Sequence, residues 1–146
     1  MKTVTLREIT QKNYREILKL KVAEQQNQFV APNSVSLAQA HFHPEAWYRG
    51  IYADDTAVGF AMLEIDTDKP EYYLWRFMVA EEHQGKGYGY QAMELLIQHV
   101  RTLPNATEFL LSYVPAEGSP REFYQKLGFE DTGEVEEGEN IMRLNL

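Results

Sequence analysis

Near the middle of the chain, Val79-Ala80-Glu81-Glu82-His83-Gln84-Gly85-Lys86-Gly87-Tyr88-Gly89 alternates glycine with other residues at 85, 87 and 89. Tyr72–Val79 before it is rich in aromatic and β-branched residues and reads as a strand. After it, Tyr88, Ala92, Leu95, Leu96 and Val100 recur at helical spacing. A strand that runs through such a turn into a helix points several backbone N–H groups one way, at the positive end of the helix dipole. That geometry suits a phosphate or pyrophosphate, and glycines let the backbone approach it closely. Two familiar phosphate loops are excluded. A Walker loop needs Gly-Lys-Ser/Thr, whereas Gly85-Lys86 is followed by Gly87; a Gly-x-Gly-x-x-Gly fingerprint counted from Gly85 ends on Tyr90.

A second stretch, Ser119-Pro120-Arg121-Glu122-Phe123-Tyr124-Gln125-Lys126-Leu127-Gly128-Phe129, reads as a short helix marked at both ends. Ser119 with Glu122 makes a capping box, Pro120 suits the first helical position, and Gly128 suits the stop. On the residues alone, Phe123, Tyr124 and Leu127 could be only the buried face of that helix.

The pattern Gln84-x-x-Gly87-x-Gly89 resembles the acetyl-CoA signature of the GNAT N-acetyltransferases, and Phe123-Tyr124-Gln125-Lys126-Leu127-Gly128-Phe129 resembles their second motif. The resemblance implies a GNAT acyl-CoA N-acyltransferase fold of the α/β (α+β) class, with a mixed, mostly antiparallel central sheet and flanking helices. It implies acetyl-CoA as cosubstrate, bound around Met78, Val79, Gln84, Gly85, Lys86, Gly87, Tyr88 and Gly89, with Ser119 and Lys126 nearby. It makes Tyr124 the general acid that protonates the leaving CoA thiolate. A phenol fits that task, being protonated at neutral pH. An amine attacking a thioester needs two further things: loss of its own proton, and a donor for the oxyanion, here a backbone N–H near Met78 or Val79.

The rest of the chain must position these groups. Thr3–Ile9 alternates as an edge strand, Thr10 can cap a helix carrying Tyr14, Ile17, Leu18 and Val22, and Ser36–His43 makes a second short helix stopped at Pro44. Strands follow at Trp47–Tyr52 and Ala57–Ile65 around the turn Ala53-Asp54-Asp55-Thr56. After the cofactor helix come Glu108–Val114 and, beyond Gly128, Asp131–Val135 and Asn140–Leu146, joined at Glu137-Gly138. The order β-α-α-β-β-β-α-β-α-β-β matches the GNAT order.

At 146 residues the chain is expected to be a single domain, residues 1–146. There is no cysteine, so disulfides, cysteine nucleophiles and thiolate metal sites are excluded. His41 and His43 lack a third ligand at recognisable spacing, so no metal is expected. With no apolar run long enough for a membrane span and no signal-peptide core after Met1-Lys2-Thr3-Val4, a cytoplasmic protein is the expectation. A net charge of −8 argues against a nucleic-acid surface and favours cationic partners.

The acceptor is harder to read. The segment Ala23–Trp47, with Gln25, Gln26 and Phe29, is where the family builds its acceptor wall. Further resemblance to small bacterial spermine/spermidine-type acetyltransferases lies in Gln25, Gln26 and Phe29, in Val58–Met62 and in Arg76-Phe77. It implies a small primary amine, a polyamine among the candidates. Two departures stand out. The loop Pro115–Ser119 lacks the asparagine common before the second motif, and Leu74 is followed by Trp75 where polyamine acetyltransferases often carry an acid. Glu64 and Asp66 could replace that base or simply face outward. Tyr72, Tyr73 and Trp75 could form an aromatic acceptor environment or pack against helices. Alternatives are a peptide or protein N-acetyltransferase and a non-catalytic acyl-CoA sensor; a homodimer is left open.

Overall fold

The computed structural model describes residues 2–146. Among these, β1 (Val4–Arg7) leads through α1 (Tyr14–Lys19), a 3-10 turn at Glu24–Gln26 and α2 (Asn33–Phe42) to β2 (Ala46–Ala53), β3 (Thr56–Asp66) and β4 (Glu71–Val79). A 3-10 turn at Glu81–His83 then opens α3 (Tyr88–Arg101), followed by β5 (Glu108–Tyr113), α4 (Arg121–Lys126), β6 (Glu130–Glu136) and β7 (Glu139–Asn145). The element order expected from the sequence is the order found, with α2 starting three residues earlier than its apolar pattern suggests, directly after Pro32.

The strands form one sheet in the order β1-β2-β3-β4-β5-β7-β6. Only β4 and β5 pair in parallel; the other neighbours are antiparallel. The β2–β3 and β6–β7 links are tight hairpins whose turns hold Asp54 (φ 51°), and Glu137 (φ 50°) with Gly138 (φ 81°), in the left-handed region that such turns require. The edge strand β6 is exposed along most of its length and carries Glu130, Asp131, Glu134 and Glu136, charges that discourage pairing with another sheet.

Each face of the sheet buries its own core. α3 sends Ala92, Met93, Leu96 and Val100 onto one face, where Leu63, Tyr72, Leu74, Phe109 and Leu111 meet them and α4 adds Tyr124. On the other face Ile17 of α1 and Leu20 just after it pack with Tyr52, Phe60, Met62 and Met78, and Leu37 and Ala40 of α2 border the cluster. Burial of these side chains, at about 25 cal/mol per Å² of apolar surface, is the main force fixing the sheet between its helix layers. No helix among the described residues is long and apolar enough to cross a membrane.

Candidate active site

The site begins as a fault in the sheet. The parallel pairing of β4 with β5 is limited to Tyr73 with Leu110 and Leu74 with Leu111, after which the strands part. At the same point β4 bulges: Met62 of β3 faces Arg76 and Leu63 faces Leu74, so Trp75 has no partner. A cavity of about 1210 Å³ fills the gap, with Tyr73–Val79 on one wall and Ser112–Val114 on the other. The Ala80 N–H donates to Val58 O at 2.8 Å, so strand alternation turns the Met78 N–H toward β3 and the Phe77 and Val79 N–H groups toward the opening. Of the two oxyanion donors expected from the sequence, Val79 therefore has the right orientation and Met78 does not.

The glycine loop forms the next wall. Gly85 and Gly87 adopt φ of 77° and 84°, and a side chain at 85 would meet no atom within 4 Å. The N–H groups from Gly85 through Tyr90 have no backbone acceptor among the described residues, whereas Gln91 N–H donates to Gly87 O. This run of free donors at the start of a 14-residue helix has the geometry of an anion cradle. A Cβ at Gly89 would lie 3.5 Å from both Phe123 and Val79, an ordinary contact distance. Gln84 also lines the cavity, and its Nε2 donates to Val79 O at 2.8 Å and to Gln26 Oε1 at 2.9 Å. Gly85, Gly87, Tyr88 and Gly89 line the cavity; Lys86 is exposed and stands outside its wall.

α4 completes this end. Gly128 (φ 102°) ends it in a Schellman turn, in which Phe129 N–H donates to Tyr124 O and Gly128 N–H to Gln125 O. The Gly-Phe pair of the motif is thus a helix stop that seats Phe129 in the core. Phe123 stacks on Phe77 at a centroid separation of 6.0 Å, and Tyr124 packs edge-on against Phe129. These contacts hold Tyr124 with only 7% of its surface exposed, on the cavity wall, and its hydroxyl has no hydrogen-bond partner among the described groups. Burial pushes its pKa well above that of an ordinary phenol. Lys126 borders the same cavity, but Ser119 does not. The expected capping box is absent: Ser119 N–H closes a turn onto Ala116 O, Pro120 takes the cap position, and no side chain caps the helix.

Beyond the bulge the cavity changes character. Phe29 and the residues around it form one side, and Trp75, Tyr73 and Glu64 form another. Gln25 is exposed and outside the wall; its neighbour Gln26 is the glutamine that faces in. Tyr72 is core rather than acceptor wall, 2% exposed, with its hydroxyl donating to Pro104 O. Asp66 accepts the N–H groups of Asp68 and Lys69 and so holds the β3–β4 turn. The sequence reading missed Glu136, Glu137 and Glu139, which the β6–β7 hairpin brings to this wall. The acid-rich run Glu134–Glu139 was the available signal. Ser112 Oγ donates to Glu139 Oε1 at 3.1 Å. Burial, with Glu136, Glu139 and Glu64 adding to it, raises the pKa of Tyr73. Arg76 also reaches the cavity, donating to Gln39 Oε1 and the Trp75 carbonyl while its Nε stays buried and unpaired.

Comparison with known proteins agrees with this geometry. Residues 4–129 match the family model described as the acetyltransferase (GNAT) family. A spermine/spermidine N(1)-acetyltransferase of Bacillus subtilis (strain 168) is 31% identical, over 96% of this chain and 97% of the relative. A probable spermine N(1)-acetyltransferase of Bacillus subtilis subsp. natto is 30% identical with the same coverage. Among solved structures, spermidine N-acetyltransferase from Vibrio cholerae in complex with CoA and spermine superimposes with a TM-score of 0.76 at 19% identity, covering 97% of this chain and 95% of that one. PaiA N-acetyltransferase from Thermoplasma acidophilum in complex with coenzyme A gives a TM-score of 0.72 at 14% identity over 99% of both chains. At those identities the structures share the fold. On the family match and the curated relatives, the chain belongs to the GNAT family of acetyltransferases, enzymes that use acetyl-CoA as cosubstrate.

Proposed function

We propose that the chain acetylates a primary amine of a polyamine such as spermidine or spermine, by direct attack on acetyl-CoA with Tyr124 as general acid. The pyrophosphate of CoA rests on the N–H groups of Gly85–Tyr90, and the pantetheine arm lies between β4 and β5, where parted strands leave main-chain groups for an inserted extended chain. The thioester oxygen takes the Val79 N–H. As the amine nitrogen bonds to the carbonyl carbon, negative charge moves onto that oxygen; when the C–S bond breaks, the Tyr124 hydroxyl gives its proton to the sulfur, and the proton shed by the acylated nitrogen passes through water to restore the hydroxyl. The ammonium must first lose its proton, its solution pKa being about 10.4. Glu64, on the cavity wall, takes it through water.

The observation that supports this reading most is an unpaired, almost fully buried phenol sharing one cavity with a free-donor anion cradle. Glu64, Glu136, Glu137 and Glu139 make the acceptor wall acidic, which suits a substrate with several ammonium groups. The naming of the curated relatives as spermine/spermidine acetyltransferases supports the same class. Thiol release from acetyl-CoA, followed across spermidine, spermine, diamines, amino acids and short peptides, tests it. Saturable turnover confined to the polyamines and longer diamines is expected; turnover with amino acids or peptides alone would overturn the acceptor assignment.

A further inference from the structure

The two glutamines that join the acceptor wall to the phosphate loop lie far apart in sequence and pair reciprocally. Gln84 Nε2 donates to Gln26 Oε1 at 2.9 Å, and Gln26 Nε2 donates back to Gln84 Oε1 at 3.3 Å. Each carboxamide is also tied to its own segment. Gln26 Oε1 accepts the Ala23 N–H at 3.1 Å, which closes the 3-10 turn, and Gln84 Nε2 donates to Val79 O, on the residue whose N–H faces the opening. From Gln26 the chain continues as Asn27–Pro32, all lining the cavity. From Gln84 it continues into the free N–H groups of the anion cradle. One pair of side chains therefore spans from the surface that holds the cofactor to the surface that meets the amine.

We infer that Gln26 is a positioning residue that couples occupation of the phosphate loop to ordering of the acceptor wall. The inference rests on the reading of residues 85–90 as the CoA phosphate site. Filling the cradle with CoA fixes the loop and hence the Gln84 carboxamide, and through it Gln26 and the turn at its root. By linkage, an amine that orders the wall tightens CoA in the same proportion. A backbone bond from Glu81 N–H to Lys21 O joins the two segments independently of the side-chain pair.

Amide hydrogen exchange with CoA as the only probe tests this, on the wild type, Gln26→Ala and Gln26→Glu. In the wild type, saturating CoA should slow exchange about tenfold at residues 84–91 and also at 23–31. Gln26→Ala should keep protection at 84–91 and lose it at 23–31. Gln26→Glu keeps the oxygen that accepts from Ala23 N–H, and with it the turn, but sets a carboxylate oxygen against Gln84 Oε1, and should lose the protection at 23–31 as Gln26→Ala does. Protection at 23–31 that persists in Gln26→Ala, or is absent from the wild type while 84–91 is protected, would overturn the coupling. Absence of CoA protection at 84–91 in the wild type would contradict the cofactor site itself, and the coupling with it.

Discussion

In the proposed reaction Tyr124 is the acid, and its environment determines how the rate should respond to pH. Burial raises its pKa, so the protonated and competent form persists beyond the range of an ordinary tyrosine. With saturating amine, turnover should climb as the acceptor ammonium loses its proton and still be rising at about pH 10, where an exposed phenol would already ionise and a rate resting on it would fall. A steady-state profile to that pH, corrected for acetyl-CoA hydrolysis, checks this. On the acceptor side, Glu139 is half-buried, bonded to Ser112, and one of the acids on the wall. Glu139→Gln keeps its shape and removes its charge, and should raise KM for spermidine roughly threefold with kcat little changed, the scale of a partly exposed ion pair. Initial rates over a range of spermidine concentrations separate the two parameters. The buried seat of Tyr124 on α4 was legible in the sequence because a helix stop and two phenylalanines surround it, while its role as acid came from the family resemblance. Glu139 was not, because a glutamate in an acid-rich hairpin reads as solvated surface until β7 is seen beside β5.

The site exists because three elements end or break where they do. β4 bulges at Trp75, β5 leaves it after Leu111, and α4 stops at Gly128. The last of these is the simplest to test. With φ at 102°, an alanine at 128 is strained by about 1–2 kcal/mol, and its Cβ would lie 3.1 Å from Leu144 Cδ1. Gly128→Ala should lower the unfolding free energy by that amount in urea denaturation and reduce kcat more than it raises KM for acetyl-CoA, since Tyr124 lies within the same turn. Glycine before Phe129 announces this stop in sequence. The same reasoning placed the loop glycines and both hairpins. It misjudged Ser119, where local spacing suggested a capping box but the preceding turn had already engaged its N–H. The bulge at Trp75 was illegible because it arises from register with β3, a relation between strands that neither strand's own pattern records. Gln84 was noticed as part of a motif, yet its partnership with Gln26 depends on the fold bringing residues 58 positions apart together.

For the molecule as a whole, the sheet between two helix layers gathers residues from positions 22 to 139 around one cavity. The net charge of −8 gives that cavity an attractive field for cations beyond the contacts themselves. Raising ionic strength from about 0.05 to 0.5 M shortens the Debye length from roughly 14 to 4 Å. The kcat/KM for spermine should then fall several-fold and by more than that for a monoamine, with kcat nearly constant; salt titration of both substrates checks this. The central claim joins the phenol, the cradle and the acidic wall into one reaction, and Tyr124→Phe tests it most directly. Continuous thiol release from acetyl-CoA with spermidine should be saturable in the wild type and drop by about 100-fold in Tyr124→Phe, with acetyl-CoA affinity preserved. Equal turnover in the two proteins would contradict the account.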